Sequence, residues 1–182
     1  MLALFRGQPR AFHMIFMLEI WERFGYYTVQ GILTLYFIRF LGFNDTDAYF
    51  TFGAFSALVY GMVAFGGYLG DKVLGTKRTI VLGLVTLALG YLALALTDKA
   101  HIFFALGLVC VGNGLFKANP SSLLSKCYAV NDPRLHSAFT LYYMAINLGS
   151  TASLFIGPYI ADRYGYSYAY FTAFIGLLLA LT

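Results

Sequence analysis

The sequence predicts an all-α membrane protein with six transmembrane helices. Three observations carry that prediction. Apolar runs near the roughly 20 residues that a bilayer requires recur along the whole chain, the gaps between them are short and rich in turn residues, and the basic residues of successive gaps alternate between many and few. Composition agrees: charged residues make up only 11% and hydrophobic residues 60%, with mean hydropathy +0.72, whereas a soluble domain carries about a quarter charged residues. The net charge of +4 is scattered over short gaps and forms no continuous basic face, which argues for membrane topology and against nucleic acid.

Taken in order, the expected spans are 11–41, 48–69, 78–96, 102–124, 137–160 and 167–182. The first is too long, too charged and too poor in small residues at its end to be a cleavable signal peptide. Turn residues separate the spans: Gly42 to Asp45, Gly75 and Thr76, Asp98 and Lys99, Asn131 to Pro133, and Tyr164 with Gly165. Connections this short make consecutive spans antiparallel neighbours. One side of the membrane then collects Arg6, Arg10, Lys72, Lys77, Arg78, Lys126 and Arg134, and the other only Arg39, Lys99 and Arg163. That bias places the N-terminus in the cytoplasm. Residues 67–72 close the second span and residues 157–165 the fifth with similar Gly, Asp and basic residues on opposite faces. Such an echo, three spans apart, suits an inverted 3+3 repeat. The chain stops at Thr182 within an apolar stretch, which reads as a truncated product.

The first span also holds Glu19, Glu22 and Arg23. Each such group costs about 2.5–3.5 kcal/mol at a helix centre on insertion scales, so the charges point to a functional pathway. Glu19, Glu22, Arg23, Tyr26, Tyr27 and Gln30 follow one helical stripe that should face a bundle interior or a wet cavity. Glu19 and Arg23, at i and i+4, are placed to pair, which leaves Glu22 needing a partner. Lys117 is the expected one. At 1.5 Å per residue, Glu19 and Glu22 lie roughly 10–16 Å from one membrane face and Lys117 roughly 12–14 Å. Protonation of the carboxylate would free the lysine, the minimum needed for proton coupling. The alternative is a static pair that locks the bundle. Asn113, Asn119 and Asn147 are expected to bond between helices, and Gly61, Gly66, Gly67, Gly112 and Gly114 to allow close packing. Tyr60, Tyr142 and Tyr143 suit either a cavity wall or a membrane interface. Cys110 and Cys127 are too far apart for a disulfide. His13, His101 and His136 are isolated from one another and from both cysteines, so no metal site is expected; a transporter is also expected to have no cofactor and no enzymatic activity.

The stretch Glu19-Ile-Trp-Glu22-Arg23-Phe24-Gly-Tyr26-Tyr27 resembles the ExxERFxYY signature of the proton-coupled oligopeptide transporters, a branch of the major facilitator superfamily. Phe116 to Pro120 and Tyr142 to Ser150 are similar to that family's fourth- and fifth-helix signatures. Gly67-Tyr-Leu-Gly-Asp71-Lys72-Val-Leu-Gly75-Thr-Lys77-Arg78 resembles the superfamily loop motif, with one extra residue between Asp71 and Gly75. The resemblance implies that residues 1–182 are the N-terminal six-helix bundle of a major-facilitator fold, completed by a C-terminal six-helix half. It implies proton-driven symport of di- and tripeptides across a bacterial inner membrane by alternating access.

On the same resemblance, Glu19, Glu22, Arg23 and Lys117 take part in proton coupling. Arg23, Tyr26, Tyr27, Gln30, Tyr60, Lys117 and Asn147 line the peptide site. Gly67, Asp71, Lys72, Gly75, Lys77 and Arg78 form the gating loop. Many members of that family carry a second arginine where this chain has Gln30, which cannot pair with a carboxylate in the same way. The implied partners are peptide, protons and the lipid bilayer. Two other readings stay open: a carrier of nitrate or another small anion, suited by Arg23 and Lys117, and a non-transporting membrane scaffold.

Overall fold

The computed structural model describes residue 5 and residues 7–181; Arg6 and Thr182, both used in the expectations above, lie outside the described residues. Helix α1 (Arg10–Leu35) runs on through a π-helical turn at Tyr36–Phe40, and α2 (Asp45–Tyr68) through another at Leu69–Val73. They are followed by α3 (Thr76–Leu96), α4 (Ile102–Lys117), α5 (Asn119–Ser125), α6 (Arg134–Tyr164) and α7 (Tyr166–Leu181). Among the described residues four helical segments, Asp45–Val73, Thr76–Leu96, Ile102–Ser125 and Arg134–Tyr164, are long and apolar enough to cross a membrane. Helix α1 has the length, at 26 residues, but carries the charges.

Local chemistry sets the helix ends. Asn44 caps α2, its side-chain oxygen accepting from Asp47 N–H at 2.8 Å. Gly75 and Gly165 turn the chain with φ of +81° and +104°, values a side chain would resist. Helix α6 is longer at both ends than the expected 137–160.

The fourth span differs more: it is two helices, broken at Ala118. Pro120 has no N–H and its ring crowds the carbonyl four residues back. Asn119 mends the break, because its Nδ2 donates to Leu115 O at 2.7 Å and to Gly66 O at 3.1 Å.

Helix α1 packs on α6 and α7, α4 packs on α2 and α3, and α3 packs on α7. Exchanging the first three segments with the last three converts α1–α6 into α4–α2, converts α1–α7 into α4–α3, and leaves α3–α7 unchanged. The pairing scheme thus has the exchange symmetry of a 3+3 repeat. Contacts are closest where glycine replaces a side chain. A Cβ on Gly66 would strike the backbone of Gly114, and one on Gly149 would strike the backbone at Ile20 and stand 3.0 Å from Arg23 Cβ. Gly112 and Gly67 also meet neighbours, but Gly61 has nothing within 4 Å and is not a packing glycine in this bundle.

Two apolar clusters form the interior. One gathers Phe12, Ile15 and Phe16 of α1 with Leu124, Leu141 and Tyr142. The other begins at Tyr26 and takes in α1, α3, α4 and α7. Between them on α1 stand Glu19, Glu22 and Arg23, so the charged layer is sealed by apolar packing above and below.

The two ends of the bundle are tied. On the side of the N-terminus, Tyr128 donates to Gln8 Oε1 at 2.6 Å, Gln8 Nε2 donates to Ser137 Oγ at 3.1 Å, and Arg134 Nη1 donates to Gly7 O at 3.1 Å. On the far side Lys99 Nζ donates to Gly42 O at 3.4 Å and lies 4.9 Å from the Phe43 ring centre. His101 beside Asp98 holds that carboxyl below its usual range.

Gly149→Ala should therefore lower stability by about 1–3 kcal/mol, since the backbone facing it cannot move aside cheaply. Gly31→Ala, in the same kind of helix interior but with nothing within 4 Å, should not destabilise and should gain up to about 1 kcal/mol from helix propensity. Thermal unfolding of the two variants in detergent checks the contrast.

Candidate functional site

The site is built on the middle of α1. Glu22, fully buried, and Arg23, 3% exposed, are sequence neighbours. The guanidinium folds back so that Nε and Nη2 both reach Glu22 Oε2 at 2.5 Å. Nε also stands 3.6 Å from Glu19 Oε1. One cation thus serves two carboxylates, and Glu19 is the looser of the pair. Asn113 of α4, fully buried, completes Glu22 by donating from Nδ2 to Oε1 at 3.0 Å. Tyr142 of α6 faces Glu19, and Tyr91 of α3, fully buried, faces both Arg23 and Glu22.

This geometry corrects one expectation. Glu22 does not take Lys117 as its ion-pair partner; Arg23 occupies that role at closer range. Lys117 is half-buried near the charged layer, and its Nζ rests 4.5 Å from the Tyr60 ring centre and 5.9 Å from that of Tyr26. Such cation–π contacts hold an ammonium without satisfying its hydrogen bonds. Arg23 lies over the same Tyr26 ring at 5.2 Å, so Tyr26 is the spacer between the two cations. Gln30 Nε2 donates to the Tyr26 hydroxyl at 2.7 Å, fixing that spacer.

The structure thus brings Glu19, Glu22, Arg23, Tyr26, Gln30, Tyr60 and Lys117 together. Tyr27 is half-buried with its ring against Tyr26, at 5.4 Å between centres. Asn147 is exposed and donates to Tyr143 O, four residues back, at 2.8 Å; it touches none of the charged groups. Gly67, Asp71, Lys72, Gly75, Lys77 and Arg78 lie apart from the cluster, around the π-helical end of α2 and the start of α3. There Lys126 donates to Thr76 Oγ1 at 2.7 Å.

Sequence reasoning gave Asn113 only a general bonding role and passed over Tyr91. The spacing of Asn113 and Lys117, four residues apart on α4, was a usable signal, since it sets both on one face. Tyr91 left no signal in its apolar helix. Among the described residues, no His, Cys, Asp and Glu group is placed to hold a metal ion.

Chemically, two carboxylates and two cations share one layer, the first cation in contact and the second held off on aromatic rings. Adding a proton to either carboxylate changes the charge of a sealed site, where interactions are stronger than in water. Lys117, open on one side, can meet an anionic group.

Fold and site together define a multi-pass membrane protein with an ionisable network inside its bundle. The POT family model matches residues 77–182, and the chain belongs to that family. It is 61% identical to dipeptide and tripeptide permease B of Yersinia enterocolitica and 58% identical to that of Salmonella typhimurium, over 96% of this chain and 36% of each relative. The chain therefore spans about a third of the length of these curated relatives. Solved structures agree. Peptide transporter POT in complex with sulfate superposes with a TM-score of 0.93 at 32% identity, covering 96% of this chain and 37% of that one. A bacterial homologue of the human drug peptide transporters superposes at 0.86 and 40% identity, covering 94% and 40%.

Arg23→Leu should be strongly destabilising, by about 3–5 kcal/mol, because it leaves two buried carboxylates without a contacting cation. Adding Glu19→Gln and Glu22→Gln to that variant should recover much of the loss. Unfolding temperatures of the single and triple variants, compared in one detergent, check this.

Proposed function

We propose that residues 1–182 form the N-terminal six-helix half of a symporter that carries di- and tripeptides with protons across a bacterial inner membrane. The observation that carries this reading is the linkage from Glu19 and Glu22, through Arg23 and Tyr26, to Lys117. It joins a sealed proton-binding layer to a cation open on one side. The permease names of the relatives support peptide as the cargo. The C-terminal half is the proposed partner. In support, α2 exposes Tyr49, Phe50, Leu58, Tyr60, Phe65 and Tyr68 at 53–76%, a face too apolar for water and too rich in tyrosine for lipid alone. The excess of basic residues at the ends of α1, α2, α3, α5 and α6 supports a cytoplasmic N-terminus.

In this reading Glu22 and Glu19 take the proton, and Arg23 passes to whichever carboxylate remains ionised. Lys117 leaves the Tyr60 ring for the peptide carboxylate, while Tyr27, Tyr60 and Asn147 line the peptide site. Gln30 serves by orienting Tyr26 and does not contact the substrate charge. The loop Gly67, Asp71, Lys72, Gly75, Lys77 and Arg78 meets the C-terminal half as the transporter changes its open side. Binding that reads only the peptide's charged ends suits broad side-chain selectivity.

The test is uptake of labelled dialanine into liposomes holding the full-length protein. An inward proton gradient should drive accumulation, and unlabelled tripeptide should compete. Glu22→Gln should abolish gradient-driven uptake yet leave peptide exchange at least partly intact; equal loss of both would remove Glu22 from coupling. Absence of any uptake by folded protein would overturn the peptide assignment, and nitrate would be the next substrate tried.

A further inference from the structure

Asn113 is the residue whose position the reading above leaves unused. It is fully buried on α4, and its Nδ2 donates to Glu22 Oε1 at 3.0 Å. Its Oδ1 is also fully buried and has no hydrogen-bond partner among the described residues. A buried acceptor held next to a titratable carboxyl, with nothing to accept from, is costly. A side-chain amide, however, offers two donors on one atom and an acceptor on the other. It can meet an ionised carboxylate with its NH2 and a protonated carboxyl with its oxygen, after a half-turn about a torsion that is broad and nearly two-fold. Four residues on, and on the same face of α4, stands Lys117.

We infer that Asn113 is a positioning residue that engages Glu22 in both protonation states and so ties the protonation of α1 to the setting of Lys117 on α4. With Glu22 ionised, Nδ2–H donates to Oε1. With a proton on Glu22, the new O–H donates to Oδ1, and the amide turns to present it. The carboxyl gains one proton and no other covalent bond changes. The turn alters the contact between α1 and α4 at one point, and α4 transmits it because Asn119 pins its end to Gly66 O at 3.1 Å. The other groups that face Glu22 cannot substitute. Arg23 and Lys117 only donate. Glu19 shares Arg23 with it. Tyr26, Tyr91 and Tyr142 approach from α1, α3 and α6 as phenols, and no hydrogen bond joins any of them to Glu22.

This inference rests on the proton-symport reading. Its test uses the full-length protein in liposomes and compares Asn113→Leu, which keeps the size but neither donates nor accepts, with Asn113→Ala. Two quantities are measured: the proton concentration giving half-maximal gradient-driven dialanine uptake, and the half-saturation of gradient-free dialanine exchange. Either variant should change the first by about threefold or more, since a hydrogen bond to a charged group is at stake, and the second by less than about twofold. In a Glu22→Gln background the same replacements should leave exchange as it is with Glu22→Gln alone. Slower uptake with an unmoved pH profile, in whichever variant folds, would make Asn113 a packing residue and overturn the inference. Uptake by the unsubstituted protein that ignores the gradient would instead overturn the symport reading, so the two failures are distinguishable.

Discussion

Arg23 is the interaction on which this bundle depends. Two carboxylates on consecutive turns of a membrane-crossing helix repel one another and cannot both stay ionised in an apolar layer without a cation in contact. A guanidinium can serve both, because its donors are spread over a planar fork. Everything around it follows from the need to keep that fork in place. Gly149, where a Cβ would stand 3.0 Å from Arg23 Cβ, lets α6 pack closely on that turn of α1, Asn113 completes the Glu22 side, and Tyr26 caps the guanidinium with its ring. The apolar clusters on either side exclude water and so strengthen the pairing.

Lys117 shows the complementary constraint. A second cation in direct contact with the carboxylates would be fixed there by charge-assisted hydrogen bonds. Held on the faces of Tyr60 and Tyr26, it stays close enough to feel the charge of the layer and loose enough to move. Arg23 is thus the contacting cation of the layer and Lys117 the stand-off one.

Much of this was legible in the chain. The helical segments followed from apolar runs and turn residues, and the site from three charges in one run with a stripe at helical spacing. The level of Lys117 followed from rise per residue alone. The partner of Glu22 did not. Adjacent side chains on a helix point apart, so spacing favours Arg23 with Glu19; only the complete burial of Glu22 makes the guanidinium turn toward its neighbour. Burial comes from the packing of α3, α4 and α6, which no local pattern encodes. The same holds for Tyr91, an aromatic in an apolar helix until α1 is laid beside it, and for Gly61, a small residue whose open surroundings are set by distant elements. Pro120 was visible, but the pinning of the break at Ala118 depends on Asn119, whose side chain donates to Leu115 O and, across to α2, to Gly66 O.

That break has a mechanical consequence. A continuous helix transmits tilt along its whole length, so motion at one membrane face would drag the middle of the bundle with it. Helix α4 and α5 are instead two rods joined at a pinned hinge, with Asn119 as the pin and α2 as the mount. The seven-residue α5 takes its direction from that anchor on α2, while Lys117, the last residue of α4, belongs to the other rod.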